Sequence, residues 1–292
     1  DCAGSMVQLN FVLSILQKTF GEDVKLELKD QFIHTGIQYT LTTDRYYATL
    51  DQIAYVAKLK PVELAELKEL KDEDSLSSFL HACYMSLLGG AAWALQTRMD
   101  CAVFISALQR CMQRPLAVHM RRLNRVIRYL QKNPRKLEYR RLPQPVQLLA
   151  VGDSAFQAPS PGSEEVNPLV MRGFILALAH RSVAHDGTVS YCTQLIDYVS
   201  GKQSHVARGV WSSELFNQCD ALDAAVLLLG YFEELRCGHQ PAVRLRELRQ
   251  SGGFSLPLEM QTDSFSIFSY LKSIHLKFPA ERGTVLHLAY LR

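Results

Sequence analysis

The sequence predicts an α+β protein, in which a helical N-terminal region precedes a mixed β-sheet flanked by helices. Two observations predict this fold class. Apolar residues recur at helical spacing between positions 76 and 131, and apolar, β-branched runs of strand length follow Pro143 and Pro145. Because the pattern changes at these prolines, we place a domain boundary there and expect two domains, residues 1–142 and 143–292.

The first 142 residues are predicted to combine short strands with several helices. Helical spacing of apolar residues covers positions 6–20 and 46–59, and two short strands are expected at 25–28 and 37–41, joined by a turn around 30–36. The charged stretch 63–74 is predicted to be a solvated helix or linker. Three longer helices are expected at 76–96, 101–112 and 116–131, the last closed by Asn133 and Pro134.

The second region alternates strand and helix patterns. Strands are predicted at 146–152, 169–180 and 188–200, with a proline-rich loop at 158–168. A helix is expected at 214–235, ending near Gly238. The remaining predictions are a strand at 256–262, a helix at 264–275 and a final element at 285–292.

Three acidic residues occur at the ends of these predicted elements. Asp153 ends the first strand of the region, Glu214 opens the long helix, and Asp263 ends the later strand. Such residues can converge at one edge of a sheet, where carboxylates suit divalent cations and phosphodiester hydrolysis. The alternative is that they are ordinary surface acids, with Glu214 stabilised by the helix macrodipole.

Charge and composition narrow the class of partner. The net charge is +3, yet residues 119–141 contain nine Lys or Arg and one acid. These side chains are candidates for binding nucleic-acid phosphates, with a solvated basic face as the alternative: Arg121, Arg122, Arg125, Arg128, Lys132, Arg135, Lys136, Arg140 and Arg141.

The seven cysteines are scattered without a CxxC pair, which favours a reducing intracellular compartment. The composition does not distinguish nucleus, cytoplasm and organelle. No apolar run reaches the roughly 18–20 residues of a membrane span, so we expect no membrane partner.

Several motifs resemble the C-terminal part of a copia-type LTR-retrotransposon reverse transcriptase. They include residues 87–100 (LLGGAAWALQTRMD), residues 122–130 (RLNRVIRYL) and the segment 152–156 (GDSAF) around Asp153. Residues 212–214 (SSE) and 262–264 (TDS) resemble the family's other two acidic motifs, and residues 1–5 resemble the segment after its polymerase turn.

This resemblance implies a thumb/connection-like helical region followed by a ribonuclease H-like domain, with Asp153, Glu214 and Asp263 as Mg²⁺ ligands. It also implies that the polymerase carboxylates lie before residue 1 and a fourth nuclease acid after residue 292. We therefore expect a domesticated, non-polymerising protein that binds RNA as a structural component of a ribonucleoprotein. Other proteins of that ribonucleoprotein are further candidate partners, and an organelle is one candidate compartment. The alternative is an active, Mg²⁺-dependent ribonuclease H that cuts the RNA strand of RNA–DNA hybrids.

Overall fold

The computed structural model describes residues 6–23, 25, 29–42, 46–157, 169–273 and 282–291, and it confirms the α+β class. The N-terminal elements are α1 (Met6–Phe20), β1 (Gln31–His34), β2 (Ile37–Leu41), β3 (Tyr47–Asp51), α2 (Ile53–Lys58), α3 (Ala65–Glu69), α4 (Ser78–Ala94), α5 (Ala102–Arg110), α6 (Ala117–Lys132) and β4 (Leu137–Arg140). The later elements are β5 (Gln147–Gln157), β6 (Leu169–Val183), β7 (Val189–Lys202), α7 (Val210–Cys237), α8 (Ala242–Ser251), β8 (Leu258–Gln261), α9 (Phe265–Lys272) and α10 (Val285–Leu291).

The first sheet is antiparallel with strand order β1-β2-β3-β4. Its first hairpin turns at Thr35 and Gly36, which both have positive φ, as tight two-residue hairpins require. The predicted helix over 46–59 was wrong in its first half, where residues 47–51 form β3 instead. Tyr47 and Thr49 favour a strand, and pairing with β2 and β4 on either side overrides the helical spacing.

Helices α2 to α6 pack around one apolar core beside this sheet. Leu80, Tyr84, Ile105, Met120 and Leu123 are fully buried in it, so the three long helices were predicted correctly. At the end of α4, buried Arg98 donates to both carboxylate oxygens of Asp100 and to the carbonyl of Leu130 on α6, at 3.2 Å.

The second sheet has strand order β7-β6-β5-β8, with β5, β6 and β7 antiparallel and β8 parallel to β5. Helix α7 crosses one face of the sheet. Leu148, Phe174 and Leu176 from the strands meet Ala221 and Ala225 from the helix in a buried core. The predicted strands and the long helix therefore form, and they bring the middle of β5, the start of α7 and the end of β8 close to one another.

Some sequence predictions need correction, and others fall on residues that are not described. Strand β4 and helix α8 were missed, and residues 31–34, predicted as part of a turn, form strand β1. Helix α7 begins at Val210, so the prediction that Glu214 opens this helix was wrong. Asp153 lies inside β5, which continues to Gln157, rather than at its end. Residues 1–5, 26–28, the loop 158–168 and the end of the predicted helix at 274–275 lie outside the described residues.

Hydrogen bonds join the helices to the second sheet. The Tyr198 hydroxyl on β7 donates to the Leu95 carbonyl after α4 at 2.6 Å, and Ser106 on α5 donates to the Ser200 carbonyl at 2.8 Å. Burial raises the pKa of Tyr198 to about 12, so this hydroxyl keeps its proton at neutral pH. Across the described ranges, no helix combines the length and apolar character needed to cross a bilayer.

Candidate metal centre

The three predicted acids converge. One carboxylate oxygen from each of Asp153, Glu214 and Asp263 lies within 4.8 Å of the others. The parallel pairing of β5 with β8 explains why two of these carboxylates are close. Val151 pairs with Gln261, so two residues further along each segment Asp153 lies beside Asp263. Glu214 reaches the same place from the second turn of α7.

A stripe of buried polar residues brings α7 close to β5. Asn217 donates through Nδ2 to the carbonyls of Asp153 and Gly173, both at 3.0 Å, and Gln218 donates to the carbonyl of Gly152 at 2.9 Å. Gly152 is needed for this approach, because a Cβ there would lie 2.9 Å from Nδ2 of Asn217. These amides fix the backbone that carries Asp153.

Glu214 is buried, with only 6% of its surface exposed, whereas Asp153 and Asp263 are exposed. Burial raises the pKa of Glu214, the hydrogen bond from Ser154 opposes that rise, and the charges of Asp153 and Asp263 add to it. The Ser154 amide donates to Oε1 at 3.3 Å. The other oxygen, Oε2, is buried and accepts no hydrogen bond within the part of the chain that the structure describes.

This donor set fits a divalent cation. A buried carboxylate oxygen without a donor is unfavourable, and a cation would supply the missing partner. Carboxylate oxygens are the ligands that Mg²⁺ prefers, and three of them with open sides leave room for substrate phosphate. Asp153, Glu214 and Asp263 could therefore hold Mg²⁺.

Most of the nine predicted nucleic-acid-binding residues have structural partners. Arg121 pairs with Asp72 and also donates to backbone carbonyls of the α3 segment. Three further side chains pair with carboxylates and one lies over an aromatic ring: Arg128 with Glu63, Lys136 with Asp51, Arg140 with Glu138, and Arg141 on Tyr46. Lys136, Arg140 and Arg141 lie in or beside β4, not on the basic helix.

Three of the basic residues form an exposed line on α6. Arg122, Arg125 and Lys132 are three or seven positions apart, which puts them on one face of the helix, and none forms a salt bridge with a described residue. Tyr129 lies between them and is 40% exposed. We call Arg122, Arg125 and Lys132 the basic stripe. Arg135, beyond the end of the helix, is also exposed and lacks a salt bridge within the described ranges.

Sequence reasoning missed the polar residues behind the acids. Ser213, Glu214, Asn217 and Gln218 recur at intervals of four in a helix that is otherwise largely apolar. That recurrence is a signal for a buried polar face, and it was available from the sequence.

No family model fits the chain, and no curated protein sequence matches it. The function is therefore inferred from the motifs of this chain and from the geometry of its residues.

Proposed function

We propose that residues 143–292 form a ribonuclease H-like domain that uses Mg²⁺ to cut the RNA strand of RNA–DNA hybrids, within a chain derived from a copia-type retrotransposon. The observation that carries this proposal is the approach of the Asp153, Glu214 and Asp263 carboxylates to within 4.8 Å. The sequence alone favoured a binding protein over this enzyme. Buried Oε2 of Glu214, which lacks a donor among the described residues, now favours the enzyme.

The sheet supports the same proposal. Its mixed pairing, with helices packed beside it, agrees with the arrangement that the copia resemblance implies for the nuclease part. The parallel pairing of β5 with β8 sets two of the three acids abreast, and α7 supplies the third. Each motif that carried the resemblance in this region thus contributes its acid to one cluster.

The negative charges of the three carboxylates determine how the cluster could act on a phosphodiester. Three carboxylates so close together repel a phosphodiester, so the chain alone would not hold the scissile phosphate there. Bound Mg²⁺ would neutralise these charges and polarise the phosphate. Asp153 and Asp263 are exposed, so a cation that they hold would be open to substrate phosphate, while buried Glu214 anchors the cluster to α7.

A gel assay on a labelled RNA–DNA hybrid and on matched single-stranded RNA, each with Mg²⁺ or with EDTA, tests the proposal. We expect cutting of the hybrid alone, and only with Mg²⁺. A shift of the RNA band without cutting under any condition would contradict the enzyme and support a binding protein.

The basic stripe supports a second candidate function, binding of RNA as a structural component of a ribonucleoprotein. Arginine and lysine side chains without carboxylate partners are free to contact phosphates. Tyr129 is exposed between Arg125 and Lys132, and a base can stack on the part of its ring that the Arg98 guanidinium leaves open. Binding of this kind tolerates many sequences and weakens with salt.

Arg122→Gln/Arg125→Gln is expected to weaken single-stranded RNA binding by roughly tenfold at low salt and to reduce the slope of log K against log salt by about 1.4, because two phosphate contacts are lost. Fluorescence anisotropy across a salt series measures both quantities. Arg128→Gln/Arg140→Gln is the matched control, since it removes the same charge from arginines that are already paired. An equal loss in the control would mean that total charge, not the basic stripe, governs binding.

A further inference from the structure

A buried chain of polar side chains leads to the Glu214 carboxylate. Ser154 Oγ lies 2.7 Å from Ser213 Oγ, and Ser213 Oγ lies 3.3 Å from Oε1 of Gln203. Gln203 closes the chain by donating through Nε2 to the Ser213 carbonyl at 2.9 Å. Ser213 is fully buried and Gln203 is 4% exposed, so solvent does not compete for the bonds between these two residues.

Backbone hydrogen bonding fixes Gln203, the residue of this polar chain that lies farthest from Glu214. The Gln203 amide donates to the Val170 carbonyl at 3.0 Å, which holds the glutamine against β6 just after β7 ends. Ser213 belongs to α7 and Ser154 to β5. The polar chain therefore links three separate segments at the point where Glu214 enters the cluster.

The number of hydroxyl protons limits the arrangements of this chain. Each serine has one hydroxyl proton. If Ser213 donates to Gln203, Ser154 must donate to Ser213, and Oε1 of Glu214 receives only the Ser154 amide. If Ser213 donates to Ser154 instead, the Ser154 hydroxyl is free to turn toward Glu214, but the contact between Ser213 Oγ and Oε1 of Gln203 then has no proton, because an amide oxygen only accepts. In both arrangements Ser213 holds Ser154 beside the carboxylate.

We propose that Ser213 and Gln203 are positioning residues for the metal centre, which keep Ser154 on Oε1 of Glu214 so that Oε2 is presented to a divalent cation. This inference rests on the proposed function of the cluster. Neither residue touches substrate; each acts through Ser154. Such partners of metal ligands lower the cost of ordering the ligand, and their loss typically weakens cation binding by 10- to 100-fold.

The test is direct cation binding, with no reaction involved. Isothermal titration calorimetry of the full chain with Mn²⁺ is expected to give a Kd about tenfold higher for Ser213→Ala than for the wild type. Ser213→Thr, which keeps the hydroxyl, is expected to restore most of the affinity. In cleavage assays Ser213→Ala should require more Mg²⁺ for half-maximal rate, with an unchanged KM for the hybrid at saturating Mg²⁺.

Ser212→Ala is the matched control. Ser212 is also fully buried and lies one position earlier in α7, but its hydroxyl accepts from the Arg208 and Gly209 amides instead of contacting Ser154. It should lower the melting temperature without changing the Kd for Mn²⁺. An equal rise in Kd for Ser212→Ala would show that helix stability, not the polar chain, is responsible, and would overturn the inference.

Ser154→Ala and the double variant Ser154→Ala/Ser213→Ala keep the inference testable if Ser213→Ala alone folds poorly. Ser154 is only half-buried, so its loss is easier to accommodate. If the two serines act as one chain, the double variant binds Mn²⁺ no more weakly than the worse single variant. Additive losses, or wild-type affinity in Ser213→Ala, would overturn the inference. If the wild type itself fails to bind Mn²⁺, the proposed metal centre fails instead.

Discussion

Asp153→Asn is expected to reduce Mg²⁺-dependent cleavage of an RNA–DNA hybrid by roughly a thousandfold, which corresponds to about 4 kcal/mol of transition-state stabilisation. The physical reason is the loss of one of three charges that would hold the cation beside the phosphate. Asparagine has nearly the same shape and keeps one oxygen, so the fold and the backbone contacts of Asn217 should persist. Initial rates on a labelled hybrid under single-turnover conditions measure the loss.

Measuring the affinity for the same hybrid in EDTA distinguishes an effect of the substitution on cleavage from an effect on hybrid binding. Without a cation, the variant removes a negative charge from the site, so hybrid affinity should stay constant or rise. Asp186→Asn is the matched control, because Asp186 is an exposed acid in the β6–β7 turn, at the opposite end of the sheet from Asp153. This variant should cleave the hybrid like the wild type. Full activity in Asp153→Asn would exclude the carboxylate cluster as the source of cleavage.

The sequence predicted the long elements well because their signals are local. The helices α4, α5 and α6 follow from apolar spacing alone, and β5, β6 and β7 follow from apolar runs beyond Pro145. Strand β3 was missed although it pairs with the neighbouring strand β2, because its other partner is distant. Leu50 pairs with Leu137, and no local window of the sequence contains that pairing. Strand β4 was missed because its charged residues, such as Glu138, suit an edge strand but hide the strand pattern.

For the candidate site too, local sequence signals predicted some features, and other features depend on contacts between distant residues. The order of strand-end, helix and strand-end acids was enough to select Asp153, Glu214 and Asp263, although the start of α7 was placed four residues late. What the sequence did not predict is which charges are already satisfied. Arg121 and Asp72 are far apart in the chain, so their pairing, which removes Arg121 from the binding surface, is visible only in the folded structure.

The environment of Glu214 makes stability depend on pH and on cation. Because its pKa is raised in the folded state, chiefly by burial, Glu214 binds a proton more tightly when folded than when unfolded. Its ionised form therefore destabilises the fold at pH values above the folded pKa. This destabilisation fades as the pH falls through the folded pKa and is gone below the ordinary value of 4.5.

Glu214→Gln is accordingly expected to melt higher than the wild type in EDTA at pH 7 to 8, by a few degrees, with the difference vanishing near pH 4. Removing an unpaired buried charge is worth about 1–3 kcal/mol, and each kcal/mol shifts the melting temperature of a chain this size by about 2 °C. Differential scanning fluorimetry across a pH series measures the effect. Glu247→Gln, at an exposed pair with Arg244, is the control and should leave the melting temperature nearly unchanged.

Mg²⁺ should remove most or all of the difference in melting temperature between Glu214→Gln and the wild type. A cation at 100 times its Kd stabilises the folded wild type by about 2.7 kcal/mol, or roughly 5 °C, since it binds the folded state alone. Glu214→Gln lacks one of the three carboxylates, so Mg²⁺ should raise its melting temperature little and its hybrid cleavage should be lost. A variant that gains stability in EDTA and yet keeps the full Mg²⁺ shift would show that the cation binds elsewhere. Because a merely structural glutamate would lose stability on replacement, the sign of the change in EDTA distinguishes a site kept for a cation from a buried acid kept for the fold.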